Sequence, residues 1–483
     1  MDRAARLFLV LFTCSVLSLT GCAVPFAEVP LYSPTLTPTP YSEPTGRERQ
    51  TVTPTALLPA SGQKTSLTLN ECIVAALQNH RNIRIANRTV TITQDLLDEA
   101  WTPNLPRLTV EGQYEIRHPE QSASFFGQKI ILSEKRGGVV SGRLELLLYD
   151  FGRAGYLRDV VRSQIEMDGL SAEKTRQDLT LRVSQAYFYL LEAQRVLDVI
   201  ADSIRITEEQ LKIASDFFGQ GLVNKNDVLT VEVQLADRRQ EQIHVANLVR
   251  LAIATLNRLM ARALDSPLVL ADVVEVTPWQ VSCDDVVTLA MQKRPDLISL
   301  RHKIEAVQSE YRATRADLAP TIGAYGSGYY SSEEGLGGQK SIAAGVAMQW
   351  NLFDGGLTYK RLQRQEKEIT QARDRYAEQS DEIELEVKKA YLKVLEASQR
   401  IPVAQQGVKL AEENLRVTRD LYGQGLVTST DVLREDDRRS SARVTYYRAL
   451  YEYHLAVMEL THAAGGQLPQ ASQTGDRHEA TTH

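Results

Sequence analysis

The sequence has few of the features that mark enzymes and metal-binding or nucleic-acid-binding proteins. It has four cysteines in 483 residues, too few for a disulfide scaffold, and six methionines, too few for a soft-metal relay. Lys and Arg number 55 against 61 Asp and Glu, so charge gives no reason to expect a nucleic-acid partner. The eight histidines form no HExxH or zinc-finger spacing, and no Gly-Lys-Ser/Thr loop or GxSxG serine is present. The sequence predicts no enzyme, no metal site and no cofactor.

The first 22 residues are typical of a targeting signal. Arg3 and Arg6 precede an apolar run, Leu7 to Leu19, which as a helix rises only about 20 Å and is too short to span a membrane. The sequence Leu19-Thr20-Gly21-Cys22 resembles a bacterial lipobox, which implies a signal peptide over 1–21 and lipidation of Cys22. Several acyl chains give stable anchoring. An ordinary secretory signal with an incidental cysteine is the alternative.

The remaining chain divides by composition. Residues 22–66 are rich in proline and threonine and predict an extended tether, and residues 466–483 predict a flexible polar tail. Between them the sequence predicts repeat 1 over 67–265, a connector over 266–282 and repeat 2 over 283–465. Cys72 and Cys283 are expected to be small buried helix residues, and a disulfide between them in an oxidising periplasm is the alternative.

Two thirteen-residue segments indicate an internal duplication. Residues 217–229 (FFGQGLVNKNDVL) and 421–433 (LYGQGLVTSTDVL) are identical at eight positions, at an offset of 204. Residues 78–106 match 292–320 at an offset of 214, so ten extra residues lie between Pro106 and Leu148, in a predicted surface loop. Each copy is predicted to contain a helix, two strands, a very long helix, a tight turn and another helix.

The segment from Gly152 to Phe218 predicts one uninterrupted helix. It contains no proline, and its apolar residues follow the 4-3 spacing of a coiled-coil seam. Its length would be about 100 Å, which suits a bundle, fibre or tube rather than a globular core. In the second copy, Pro402 and Gly407 predict a kink or a break.

Alternating polarity predicts strand pairs within 107–151 and 320–354. Apolar and polar residues alternate over 107–117, 140–148 and 342–352, and the strand at 321–330 is weaker. Segments of about ten residues with one apolar face are typical of an outer-membrane β-barrel wall. A soluble sheet would give the same alternation, but the signal and the long helices favour the barrel.

Four strands cannot close a barrel on their own. An open edge in hydrocarbon leaves backbone groups unpaired, and the smallest transmembrane barrels have about eight strands. Several copies must therefore contribute to one barrel. Two copies would give a cramped lumen and three would give twelve strands; the arithmetic excludes a monomer without choosing three.

The duplicated plan resembles the TolC-like outer membrane efflux protein family over nearly the whole mature chain. Residues 292–297 (QKRPDL) and 350–356 (WNLFDGG) are similar to its recurring motifs, and GQGLV…DVL to its periplasmic tips. The resemblance implies an α+β membrane protein in the lipid-anchored branch. The homotrimer would have a twelve-stranded transmembrane β-barrel and a periplasmic α-helical barrel of twelve helices.

The same resemblance implies function and partners. The trimer would be the passive exit channel of a tripartite efflux or type I secretion system in the outer membrane. Its partners would be a periplasmic adaptor, an inner-membrane transporter of the RND or ABC type, and outer membrane lipid. The alternative is a periplasmic coiled-coil adaptor or structural lipoprotein without a pore.

The GQGLV segments are the predicted tip turns, over 219–226 and 423–430. Their glycines are expected to end the long helices by adopting positive φ. The resemblance implies that an adaptor docks there, with four apolar residues forming the rim. These tip residues are Gly219, Gly221, Leu222, Val223, Gly423, Gly425, Leu426 and Val427.

Asp227 and Asp431 follow the turns and are expected to cap the next helices. The resemblance also implies a constriction there, with Tyr422 in its network. Val427 stands where the family has a linking arginine, and Arg434 where it has a second ring aspartate. A ring of Asp431 beside Arg434 would form an alternating ion-pair belt, and crowding of the three carboxylates would raise their pKa values.

Overall fold

The structure is a computed structural model, and its description covers most of the chain between residues 66 and 468. The predicted signal, Cys22, nearly all of the tether and the end of the tail lie outside the described residues. The described residues are 66–116, 118, 121–133, 136–273, 276, 281–332 and 340–468.

Helices make up most of the described chain. They are α1 (Leu69–Asn79), α2 (Arg81–Glu99), α3 (Arg153–Gly219), α4 (Lys225–Leu259), α5 (Cys283–Lys293), α6 (Pro295–Ala316), α7 (Leu357–Gly423) and α8 (Ser429–Ala463). Within the described residues, no helix is both long enough and apolar enough to cross a membrane.

The first helix predicted in each half is in fact two helices. His80 has extended backbone between α1 and α2, and its Nδ1 accepts a hydrogen bond from the Asn82 N–H over 3.2 Å. Arg294 is extended between α5 and α6 because it precedes Pro295, whose ring disfavours the helical conformation in the preceding residue.

The long helices α3 and α7 each have 67 residues, or about 100 Å. Each follows a glycine with positive φ, Gly152 or Gly356. Of the predicted kink or break at Pro402 and Gly407, the break is wrong, because α7 continues through both. The kink stays a prediction. A proline removes one hydrogen bond, whereas buried residues on both sides, such as Val394 and Leu415, keep the helix packed.

Four long strands form one antiparallel sheet in the order β1-β4-β5-β6. They are β1 (Arg107–Ile116), β4 (Arg136–Tyr149), β5 (Thr321–Ser331) and β6 (Lys340–Gln349). The predicted surface loop of the first half instead contains a hairpin, β2 (Gln121–Phe125) and β3 (Gln128–Ser133), which turns at Phe126 and Gly127 with positive φ.

The chain consists of three successive tiers: the sheet, the helices next to the sheet, and the helices next to the tip turns. Equivalent elements follow one another in the same lateral order in each tier. Below the sheet, α3 packs against α2 and α6, and α6 packs against α7. Towards the helical turns, α3 packs against α4 and α8, and α8 packs against α7. The chain therefore has two open edges: β1, α2 and α4 lie along one, and β6 and α7 along the other.

Two apolar clusters hold the helical tiers together where the short helices pack. In the first half, Tyr187 and Leu190 of α3 are buried with Cys72 of α1. In the second half, Ile383 and Val387 of α7 are buried with Val286 of α5. The Tyr187 hydroxyl also donates to the Leu67 carbonyl over 3.2 Å, which fixes the start of the described chain beside α3.

Candidate functional site

One face of the four-stranded sheet is apolar and exposed. In the register of the sheet, Leu108 lies opposite Leu144, Leu144 opposite Gly326, and Gly326 opposite Ala344. Alternate residues of the same strands continue this face. Its exposed large side chains include Leu108, Val110, Tyr114, Ile116, Val140, Leu144, Ile342, Val346 and Met348. An exposed apolar surface of this extent is typical of contact with lipid or protein.

The opposite face of the same sheet is polar. Arg143 and Glu145 form an ion pair there, 2.5 Å apart. Residues on the neighbouring strands carry hydroxyl and carboxyl groups; a cleft on this face is lined by Thr109, Glu111, Ser141, Ser327, Tyr329 and Ser341 among others. The sheet therefore has one apolar face and one polar face.

The two tip turns have the same hydrogen-bonded cap. The Gly221 N–H donates to the Phe218 carbonyl and the Leu222 N–H to the Phe217 carbonyl, each over 2.9 Å. Gly425 and Leu426 repeat this pattern in the second half. This is the Schellman arrangement, which needs a left-handed residue at its turn.

Only two of the four predicted turn glycines have that conformation. Gly221 and Gly425 have φ of 76° and 74°. Gly219 and Gly423 are the last residues of α3 and α7, so the expectation of positive φ is wrong for them. The Schellman turn needs one left-handed residue, and that residue follows the helix cap.

The four apolar residues of the tips divide into two kinds. Leu222 and Leu426 project into solvent, with 66% and 67% of their surface exposed. Val223 is half-buried, and Val427 packs against a cluster that contains Tyr422. Leu222 and Leu426 are therefore free within the described chain to contact another molecule.

Both tip aspartates act as helix caps. Asp227 accepts the Asn224 N–H over 3.3 Å. Asp431 accepts both the N–H and the hydroxyl of Thr428, over 3.0 and 2.7 Å, and pairs with Arg434 over 3.0 Å. The hydrogen bonds from Thr428 hold the pKa of the Asp431 carboxyl below its usual value.

Tyr422 connects the ends of the two long helices. Its ring centroid lies 5.6 Å from that of Phe217, and its side chain is buried. Burial and the charge of Asp227 raise the pKa of its hydroxyl. The Tyr422 hydroxyl and the side-chain nitrogen of Gln210 are both buried without a hydrogen-bond partner among the described residues. Tyr422 of the second half thus packs against Phe217 of the first half.

A cluster of three buried polar and charged side chains, which lies between the tips and the sheet, was not predicted from the sequence. Ser203 of α3 donates its hydroxyl to Asp436 of α8 over 2.5 Å. Arg439 lies 3.1 Å from Asp436, and these two side chains are only 8% and 2% exposed. Burial lowers the pKa of the Arg439 guanidinium. This cluster joins α3 to α8 and hence the two halves of the chain.

Comparison of the two halves could have revealed part of this cluster. At the offset of 204, Arg439 matches Leu235, whereas Asp436 matches Glu232. Leu235 is a buried apolar residue of α4. A charged residue at a position that is apolar in the other half would have marked Arg439 as part of a buried polar contact.

The described residues include no group of three or more His, Cys, Asp or Glu side chains that could hold a metal ion. Cys72 is buried as expected, but the expectation of burial is wrong for Cys283, which is half-buried because it is the first residue of α5; both thiols are free. Burial raises the pKa of the Cys72 thiol to about 11. A thiol with this pKa is a poor nucleophile at neutral pH.

The chain matches the model of the outer membrane efflux protein family over residues 72–262 and 286–466. It is 25% identical over 321 residues to the alkaline protease secretion protein AprF of Pseudomonas aeruginosa, covering 61% of this chain and 64% of that relative. It is 23% identical over 297 residues to the proteases secretion protein PrtF of Dickeya chrysanthemi, covering 60% and 64%. The chain thus spans less than two thirds of the length of these relatives.

Solved structures share the fold at lower identity. The outer membrane protein VceC of Vibrio cholerae is 18% identical with a TM-score of 0.70, covering 82% of this chain and 96% of that one. The CmeC outer membrane channel of Campylobacter jejuni is 15% identical with a TM-score of 0.71, covering 84% and 87%. The fold of this chain is therefore that of outer membrane channel proteins.

Proposed function

Because the chain belongs to the outer membrane efflux protein family, we propose that it forms the passive outer membrane exit channel of a tripartite efflux or type I secretion system. Its inner-membrane transporter, of the RND or ABC type, would supply the free energy, and a periplasmic adaptor would couple the two. The chain itself would catalyse no reaction. The names of AprF and PrtF, which refer to protease secretion, support export as the class of process.

The single observation that carries this proposal is the continuity between the sheet and the long helices. Strand β4 leads into α3 and the segment after β6 leads into α7, each about 100 Å long. The apolar face of the sheet suits hydrocarbon, while the polar face suits a water-filled lumen. A membrane pore extended by a periplasmic conduit would use both features.

The proposed assembly is a homotrimer built from a duplicated chain. Each tier of one chain ends in open edges. The helices at these edges have exposed large apolar residues, which include Ile85 and Ile92 of α2, Ile243 of α4, and Leu392 and Val403 of α7. Of the helices with neighbours on both sides, α6 and α8 have none, whereas α3 has Leu157, Tyr189 and Ile213. Copies of the chain would cover these edges, and three copies would supply twelve strands.

Cross-linking tests this closure. Ile243 lies 21 residues after Leu222 in α4, and Val403 lies 23 residues before Leu426 in α7, so both are at similar distances from the tips. Ile243→Cys combined with Val403→Cys should therefore form disulfides between neighbouring copies. Oxidation of membranes should give a covalent trimer on a denaturing gel.

The two single-cysteine variants are the controls and should remain monomeric on the same gel. Cys72 is buried and should not compete, and Cys283→Ser removes the half-buried thiol. A double variant that gives only monomers would contradict closure through α4 and α7.

At the tips we propose adaptor docking and a constriction. Leu222 and Leu426 would provide the apolar docking contacts, with Val223 and Val427 behind them and the four tip glycines shaping the turns. Asp227, Tyr422, Asp431 and Arg434 would surround the constriction. The packing of Tyr422 against Phe217 and the ion pair of Asp431 with Arg434 support this assignment.

We propose lipid anchoring through Cys22. Leu67 contacts Tyr187, which lies 34 residues along α3 from Arg153, or about 50 Å below the sheet. The 45 residues from Cys22 to Leu67 can extend at most about 160 Å. The tether is therefore long enough to return a lipidated Cys22 to the membrane.

Conductance tests the function directly. The purified full chain, reconstituted in a planar lipid bilayer, should give discrete single-channel currents. The same protein should give heat-resistant trimer bands on a denaturing gel. A periplasmic adaptor or structural lipoprotein would give no conductance. A protein that stays monomeric and never conducts would refute the proposal.

A further inference from the structure

The free faces of the two edge helices carry complementary charges. On α2, Arg84, Arg88 and Glu99 are exposed on the side away from the buried Thr93. On α7, Lys367, Glu378 and Asp381 are exposed on the side away from the buried Ile383. We call these sets the α2 row and the α7 row. Within the part of the chain that the structure describes, none of the six has an ion-pair partner.

Two contacts set the depth of the α2 row relative to α3. Thr93 donates its hydroxyl to Asp168 over 2.6 Å, and Arg176 donates to the Asn87 side chain over 3.2 Å. Since the helices are antiparallel, Arg88 lies opposite residue 174, which is 21 residues from Arg153. By the same count, Arg84 is 25 and Glu99 is 10 residues from the start of α3.

The α7 row lies at the same depths. Counted from Leu357, the equivalent first residue of α7, Glu378 is 21, Asp381 is 24 and Lys367 is 10 residues along the helix. To within one residue of depth, each position of one row therefore has an oppositely charged counterpart: Arg88 with Glu378, Arg84 with Asp381, and Glu99 with Lys367. Two further exposed acidic residues of these two faces, Asp95 and Asp374, lie opposite the uncharged Gln371 and Ile92, respectively, by the same count. Cyclic symmetry about an axis along the helices keeps these depths equal in every copy.

We propose that the α2 row of one copy pairs with the α7 row of the next copy, and that these pairs select another copy of this chain as the neighbour and set its register. The inference rests on the proposed homotrimer and adds its specificity. The sign of charge changes along each row, so a slip of about 11 residues along the axis brings Glu99 level with Glu378. Like charges at an interface disfavour the wrong register or the wrong partner.

Charge reversal tests the pairing in the full-length protein extracted in detergent. Arg84→Glu with Arg88→Glu should lower the trimer fraction about tenfold in buffer of about 20 mM salt, and less in about 500 mM salt, because exposed charges are screened. Glu378→Arg with Asp381→Arg should have the same effect. All four changes together should restore the trimer fraction to within about twofold of wild type. Light scattering after size-exclusion chromatography measures the fraction.

The matched control reverses Arg301 and Arg312, which are exposed on α6, a helix that lies between α3 and α7. Arg301→Glu with Arg312→Glu should leave the trimer fraction unchanged. A trimeric Arg84→Glu/Arg88→Glu variant, or a quadruple variant that is not restored, would overturn the pairing while the proposed function stands. A wild-type chain that is never trimeric would overturn the proposed function itself.

Discussion

Val346→Arg is expected to prevent the chain from entering the outer membrane as a trimer. Val346 lies in the middle of β6 on the apolar face, with 67% of its surface exposed. An arginine at mid-membrane on the lipid side of a β-barrel costs about 2–4 kcal/mol, and a trimer would carry three. Heat-resistant trimer in outer membrane fractions should fall below detection.

The adjacent residue provides the control. Ala347 projects to the polar face of the same strand, so Ala347→Arg should insert and trimerise as wild type does. Both residues are exposed within the single chain, so the difference reports the face rather than burial. Normal insertion of Val346→Arg with failure of Ala347→Arg would mean that the faces are assigned the wrong way round.

Asp436→Ala is expected to destabilise the helical part of the chain by about 3 kcal/mol or more. The substitution removes the acceptor of Ser203 and leaves the buried Arg439 without its nearest counter-charge. An uncompensated buried charge is the reason for the large effect. The midpoint of urea unfolding, followed by circular dichroism in detergent, measures the loss.

Two controls separate this effect from a general loss of charge. Asp436→Leu with Arg439→Leu removes both charges and should recover most of the stability, because position 439 then matches Leu235 of the first half. Asp420→Ala breaks an exposed pair with Arg416 and should change stability by less than about 1 kcal/mol. Equal destabilisation by Asp436→Ala and Asp420→Ala would contradict the argument.

Local patterns predicted the elements that depend on nearby residues. The alternation of Leu108 and Val110, and of Ile342 and Val346, predicted strands with one apolar face, and these residues lie together on that face. The resemblance to the outer membrane efflux proteins is confirmed by the family match. The gate, the docking contacts and the lipidation of Cys22 stay predictions.

Sequence patterns gave wrong predictions where the same local residues are compatible with more than one backbone structure. Proline usually breaks a helix, yet Pro402 lies inside α7 because packing on both sides maintains it. The ten extra residues of the first half suggested a loop, but the segment holds the β2–β3 hairpin. Glycine was expected to be left-handed at four positions, whereas the hydrogen bonds of each turn require it at one, Gly221 or Gly425.

The sequence by itself determined the faces of the strands, the length of the long helices and the family, because these depend on periodicity and spacing along the chain. The tertiary structure decided which helices are edges, how Asp436 meets Ser203, and how the α2 row matches the α7 row in depth. Those facts depend on contacts between residues far apart in the chain, such as the 233 residues between Ser203 and Asp436. No local pattern fixes the distance between such residues, because it is set by how whole helices pack.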